Sequence, residues 1–174
     1  MVKSLHDHDI SVIMDVVYNH VYNADTFCFN NIVPGYFSRV DSNTSGCGND
    51  TASEREMVRK YIVESVLYWC EEYHIDGFRF DLVGLLDVET INQIVTEVHA
   101  VRPDVIFYGE GWDMDSTNKE EGTQMAKQGN SSKTPGFAYF SDSMRNNIGG
   151  NNGSSTGFAS GAGNGATIAA DWLA

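Results

Sequence analysis

The stretch Ile75-Asp76-Gly77-Phe78-Arg79-Phe80-Asp81 decides the fold class of this chain. Aromatic residues fill its middle, and an arginine and an aspartate close it. It reads as a buried strand that delivers a carboxylate at its C-terminal end. Two further stretches follow the same pattern: Ser11 to Asp15 continuing through Val16-Val17-Tyr18-Asn19-His20, and Val105-Ile106-Phe107-Tyr108-Gly109-Glu110. Buried strands that all carry polar groups at the same end describe a parallel sheet with one active face.

The segments between these strands read as helices. Ser53 with Glu56 has the spacing of a capping box, and Val58, Tyr61, Ile62, Val66 and Trp69 follow at helical period. Asp87 is placed to cap a second helix with Val88, Ile91, Ile94, Val95, Val98 and Val101 on one face, and Pro103 stops it. Asp81 and Glu110 are 29 positions apart, the length of one strand–helix unit in a barrel of about 250 residues over eight units. Residues 21–50 have no helical period and are rich in Asn, Gly, Ser and aromatics. A connection that long is usually functional. Beyond Trp112, residues 113–136 read as polar loop with a short helix near 122–127, and 137–140 as a fourth strand. Residues 149–165 are rich in Gly, Ser and Asn and read as a linker or another long loop. Met1 falls inside a short helix, and Trp172-Leu173-Ala174 stops without a polar tail, so the chain reads as a segment of a longer protein.

With 174 residues, 41% of them hydrophobic, the chain can bury one core. A net charge of -13 argues against nucleic acid and anionic membrane surfaces as partners. No apolar run approaches the length of a membrane span, and no signal-peptide pattern opens the chain. The compartment stays open between cytoplasmic and secreted, with cytoplasmic favoured. Cys28, Cys47 and Cys70 lack the spacing of a disulfide framework or zinc site. Free thiols are expected, with a Cys28–Cys47 pair within one loop as the alternative.

Breaking an acetal between sugars takes an acid to protonate the leaving oxygen. A retaining enzyme also needs a carboxylate nucleophile about 5 Å away. Asp81 and Glu110, at corresponding ends of neighbouring strands, fit that pair, since adjacent strands lie about 4.8 Å apart. Arg79 lies two residues before Asp81 and faces the same way. Its guanidinium would keep Asp81 ionised, while the charge of Asp81 would help Glu110 hold a proton. A structural ion pair between Arg79 and Asp81 explains the same residues equally well. Asn19 and His20 are suited to hydrogen bonding sugar hydroxyls; a structural histidine is the alternative for His20, and its clustering with Asp15 and Asn19 favours the functional reading. Tyr18 and Trp112 flank the carboxylates and are candidates for stacking on sugar rings; core packing is the alternative for both. His6-Asp7-His8-Asp9 resembles a metal cluster, but neighbours at a helix end do not converge. Asp113 and Asp115 read as polar loop rather than a cation site.

Three motifs now stand in order: DVVYNH (Asp15–His20), GFRFD (Gly77–Asp81) and GEGW (Gly109–Trp112). They resemble the first three conserved regions of the alpha-amylase superfamily, glycoside hydrolase family 13. VIMDVVYNH, GCGND (Gly46–Asp50), YHIDGFRFDL and YGEGW resemble in particular the type I pullulanases, which are α-1,6-debranching enzymes. The resemblance covers most of residues 1–150. It implies an α/β fold, a partial TIM barrel from about its third to its sixth strand, with residues 21–50 as an inserted cleft loop. It implies Asp81 as nucleophile, Glu110 as acid/base, Arg79 orienting Asp81, His20 on the sugar at the cleaved bond, and Asp15 and Asn19 in support. The substrates implied are pullulan, amylopectin and limit dextrins. The superfamily admits calcium, but no ligand set is identifiable, so no cofactor is expected.

The family's fourth region, a His-Asp pair supplying a third carboxylate, has no counterpart, because no histidine follows His99. The isolated chain is therefore expected to be inactive. The alternatives are a non-catalytic carbohydrate-binding or inert remnant, and an isoamylase, glycogen-debranching or α-1,4-cleaving relative.

Overall fold

The computed structural model describes residues 1–160 apart from 115, 117 and 151–155. It forms two compact units, residues 1–139 and 140–174. The first contains helix α1 (Val2–His6), strands β1 (Ile13–Val16) and β2 (His20–Val21), helix α2 (Cys28–Ile32), and strand β3 (Asn49–Asp50). It continues through helix α3 (Glu56–Tyr73), strand β4 (Gly77–Phe80), helix α4 (Val88–Val101) and strands β5 (Ile106–Gly109) and β6 (Phe137–Tyr139). The second contains helix α5 (Asp142–Ile148), capped by the Ser141 hydroxyl, which accepts from Met144 N at 3.0 Å.

β1, β4, β5 and β6 form a parallel sheet in that order. The register pairs Asp15 with Arg79, Arg79 with Tyr108, and Tyr108 with Ala138. Because all four strands run the same way, their C-terminal ends share one edge. The fold is α/β, with successive strand–helix units of the TIM-barrel kind, and the sheet has four strands among the described residues. Among the described residues no α-helix joins β5 to β6; in place of the helix expected near 122–127 the connection has a 3₁₀ segment, Gln128–Lys133.

Alternation along each strand separates two faces. Val16, Phe78, Phe80, Phe107 and Phe137 join Val58, Ile62, Val63, Val66 and Cys70 of α3 and Ile91, Ile94 and Val98 of α4 in one core. Each fully buried Phe or Ile contributes about 1.5–3 kcal/mol of transfer free energy. The other face is not buried: Ile13 is 37% and Ile106 54% exposed. Among the described residues the expected burial of the strands is met on the face that has helices against it.

The first strand is shorter than its apolar run, because the chain before it is held by a side chain. The Asp76 carboxylate accepts from Val12 N and pairs with His6 Nε2, both at 2.7 Å. The capping box at Ser53 does not form. α3 starts after Arg55, and the buried Ser53 hydroxyl accepts from Asp87 N at 3.0 Å. Asp87 does cap α4, accepting from Thr90 N at 2.9 Å.

Residues 21–50 form a closed excursion rather than an open loop. β2 and β3 pair antiparallel, His20 opposite Asp50, and clasp its two ends. Inside it, Phe27, Phe29 and Phe37 cluster, and Phe29 and Phe37 reach Tyr61 of α3 at 5.1 and 5.7 Å between ring centres. All three cysteines are free thiols. Of the expected Gly/Ser/Asn-rich loop over 149–165, residues 151–155 and 161–165 lie outside the described residues, as do 172–174.

Candidate active site

The sheet edge assembles the site one strand at a time. β4 delivers Arg79 and then Asp81, whose backbone N–H donates to Val16 O at 3.0 Å, one ladder step beyond the strand. β5 delivers Glu110, whose N–H donates to Phe80 O at 3.1 Å. Asp15 lies within β1 rather than at its end, directly opposite Arg79.

The Arg79 guanidinium joins all three acids. Nη1 donates to Asp15 Oδ1 at 2.8 Å and to Asp81 Oδ1 at 3.2 Å, and Nη2 pairs with Glu110 Oε1 at 2.5 Å. A planar fork with five donors suits this task; an ammonium could not span it. Burial pulls the guanidinium pKa down, but the hydrogen bond it donates to Asp15 and the charges of Glu110, Asp15 and Asp81 outweigh it, so the net shift is upward. Arg79 approaches Glu110 more closely than Asp81. It thus serves both carboxylates and does not single out Asp81, contrary to the simpler picture drawn from their sequence spacing.

Asn19 links the second half of the site. Wholly buried, it donates through Nδ2 to Asp81 O at 2.7 Å and to Asp81 Oδ2 at 3.1 Å. Those two acceptors set the orientation of the amide, so its oxygen faces His20 Nδ1 at 2.6 Å. An amide oxygen only accepts, so His20 carries its proton on Nδ1. Its Nε2 receives no hydrogen bond among the described residues and is the atom left for a ligand.

Two backbone features were not legible in the sequence. Leu82, next to Asp81, is left-handed at φ 40°, and its N–H donates to Glu110 Oε2 at 3.3 Å. A branched residue in that region carries about 1–2 kcal/mol of strain. Gly84 lets the following turn lie against the Glu110–Trp112 main chain: a Cβ there would meet Trp112 O at 2.5 Å, while Gly84 N donates to Glu110 O at 3.2 Å.

Asp15, Asn19, His20, Arg79, Asp81 and Glu110 thus form one connected cluster, with Trp112 half-buried two residues beyond Glu110. Tyr18 is not part of it. Its hydroxyl pairs with Ser65 of α3 at 2.7 Å and its ring packs 6.0 Å from Phe80, on the helix-covered side. Burial raises its pKa, and the Ser65 bond offsets that only in part. Tyr18 is therefore a packing residue, the alternative reading kept for it. Of the His6–Asp9 run, His6 is paired with Asp76, Asp7 with Lys3, and the His8 ring with Ser4 O. Asp113 pairs with Lys127, and Asp115 lies outside the described residues. Among the described residues no group of three His, Cys, Asp or Glu side chains is arranged to hold a metal ion. No helix among them is long and apolar enough to cross a membrane.

No protein-family model matches the chain. Individual proteins do. It is 44% identical over 170 residues to the pullulanase of Bacillus subtilis strain 168, covering 94% of this chain and 23% of that protein. The crystal structure of an Anoxybacillus pullulanase complexed with maltotriose superposes with a TM-score of 0.91 at 40% identity, over 99% of this chain and 25% of that one. The Bacillus subtilis type I pullulanase complexed with maltose gives 0.89 at 43% identity, over 96% of this chain and 24% of that one. The chain spans about a quarter of the length of these relatives. The shared sheet, the connected carboxylates and this level of identity over nearly the whole chain lead to one conclusion: the chain belongs to the pullulanase family.

Proposed function

We propose that the complete protein carrying this chain is a retaining α-glucan debranching hydrolase that cleaves α-1,6-glucosidic bonds in pullulan, amylopectin or limit dextrins. The observation that carries the reading is the Arg79 guanidinium held between the Asp81 and Glu110 carboxylates at the ends of adjacent parallel strands. In this reading the Asp81 carboxylate attacks the anomeric carbon and forms a glycosyl-enzyme bond, while Glu110 gives its proton to the departing glycosidic oxygen. Glu110 must turn from Arg79 toward that oxygen to do so. It then takes a proton from water, which releases the sugar and frees Asp81. Asn19 holds Asp81 in line, and His20 Nε2 bonds a hydroxyl of the sugar at the cleaved bond. Trp112 offers its ring to a neighbouring sugar unit.

Linear α-glucan oligosaccharides, as found in the related crystal structures, are the ligand class this site would take. Turnover is proposed of the complete protein, because the third carboxylate of the family pattern has no counterpart in these 174 residues. The test is digestion of pullulan: release of maltotriose is expected, and its absence would refute the α-1,6 assignment. Linkage analysis of the products separates this reading from an isoamylase-like or α-1,4-cleaving one. Asp81→Asn should abolish turnover while sugar binding persists; near-normal turnover would remove Asp81 as nucleophile.

A further inference from the structure

Asp50 closes the GCGND stretch, which takes no part in the chemistry above. Its side chain is wholly buried, a place a carboxylate occupies only with a full set of donors. Four converge on it. Ser42 Oγ and Thr44 Oγ1 donate to Oδ2 at 2.6 Å each, Ser116 Oγ donates to Oδ2 at 2.5 Å, and Thr44 N donates to Oδ1 at 2.9 Å. The Ser116 oxygen accepts in turn from Arg39 Nη1 at 3.1 Å, and the buried Arg39 forks onto Glu54 at 3.2 and 2.5 Å.

The backbone of the same segment holds the site. Asp50 sits opposite His20 in the β2–β3 ladder, and Thr51 N donates to Asn19 O at 2.9 Å. Ser116 belongs to the connection that follows β5 and carries Trp112. One carboxylate thereby ties the β5 connection, through its side chain, to the Asn19–His20 pair, through its main chain.

We infer that Asp50 is a positioning residue for the active site: it locks the Ser116 connection to the β2–β3 clasp and so sets the placement of Asn19 and His20 against Asp81. The inference rests on the reading of Asn19, His20 and Asp81 as site residues. An amide at this position would set its NH2 either against the three hydroxyls that now donate to Oδ2 or against the Thr44 N–H that donates to Oδ1, so Asp50→Asn loosens the lock without changing size. Ser116→Ala removes only the link to the β5 connection and leaves the Ser42 and Thr44 bonds in place.

Both variants are made in the complete protein, and two quantities are followed: hydrogen exchange by mass spectrometry, and kcat and KM on pullulan. In Asp50→Asn, peptides covering 18–22 and 111–116 should exchange several-fold faster while the α4 peptide does not change. The kcat should fall by roughly tenfold or more, with KM within about threefold. A carboxylate that only stabilises the fold would lower the melting temperature and leave kcat per folded molecule intact; that result overturns the inference. If Asp50→Asn does not fold, Ser116→Ala decides. Faster exchange in both peptides supports the link, and faster exchange confined to 111–116 refutes it. If the unsubstituted protein does not act on pullulan, the functional reading fails, while the exchange data still test the link.

Discussion

Asn19→Ala is the substitution whose consequences the structure defines most closely. The side chain is wholly buried and makes three hydrogen bonds: to Asp81 O, to Asp81 Oδ2 and from His20 Nδ1. Truncation leaves the Asp81 carbonyl without this donor, a desolvation cost of about 1–3 kcal/mol to stability. The kinetic cost comes from the other two bonds. A hydrogen bond to a charged group contributes about 1.5–3 kcal/mol, reduced to about 1–1.5 because solvent screens a partly exposed carboxylate; Asp81 is 27% exposed. The neutral bond that fixes the His20 tautomer adds about 0.5–1.5 kcal/mol. Together these come to about 1.5–3 kcal/mol of lost transition-state stabilisation, or about a 10- to 150-fold fall in kcat. Initial rates of reducing-end release from pullulan by the complete protein measure it, with the melting temperature followed in parallel. Asn19→Asp keeps the size but sets a second carboxylate against Asp81, and should be at least as damaging. A kcat within threefold of the parent for both variants would mean that Asn19 does not hold the reacting groups.

Three other perturbations test separate parts of the structure. Arg79→Lys leaves one compact charge where a fork now serves Asp15, Asp81 and Glu110, so kcat should fall by roughly tenfold or more while far-UV circular dichroism is unchanged; retained activity would show that the fork is dispensable. Asp87→Ala removes the cap of α4, the Thr90 Oγ1 bond and a partner of Arg59, and should destabilise by about 1–3 kcal/mol in urea unfolding. For Asp50, burial raises the carboxyl pKa, but hydrogen bonds from Ser116, Ser42 and Thr44 outweigh it and the net shift is downward. A depressed folded-state pKa contributes stability above the unfolded value of about 3.9, and that contribution is lost as pH falls through the folded value. The stability gap between the parent and Asp50→Asn should therefore be constant from neutral pH to about 5 and narrow below about 4; a gap that stays flat to pH 3 would contradict the shift.

The local sequence determined much of this protein, because its signals are periodic or chemically specific. Short apolar runs ending in polar residues mark the strands Gly77–Phe80 and Ile106–Gly109, the Asp87 cap and the Ile91–Val98 spacing mark α4, and the strand ends bearing Asp81 and Glu110 mark the edge where the carboxylates gather. Where a residue's role depends on a distant partner, only the tertiary structure decided it. Ser53 has the spacing of a cap, yet its hydroxyl is taken by the Asp87 amide. Tyr18 adjoins Asn19, yet it belongs to the face packed on α3. Arg79 lies two residues from Asp81, yet it approaches Glu110 more closely, because the register of β4 on β5 sets that distance. Leu82, left-handed beside Asp81, meets Glu110 from 28 positions away, and Asp50 meets Ser116 from 66 positions away, so no local pattern announces either contact. Periodicity and side-chain chemistry are local properties of a chain, whereas hydrogen-bond partners and exposed faces are chosen only when strands pair and helices pack.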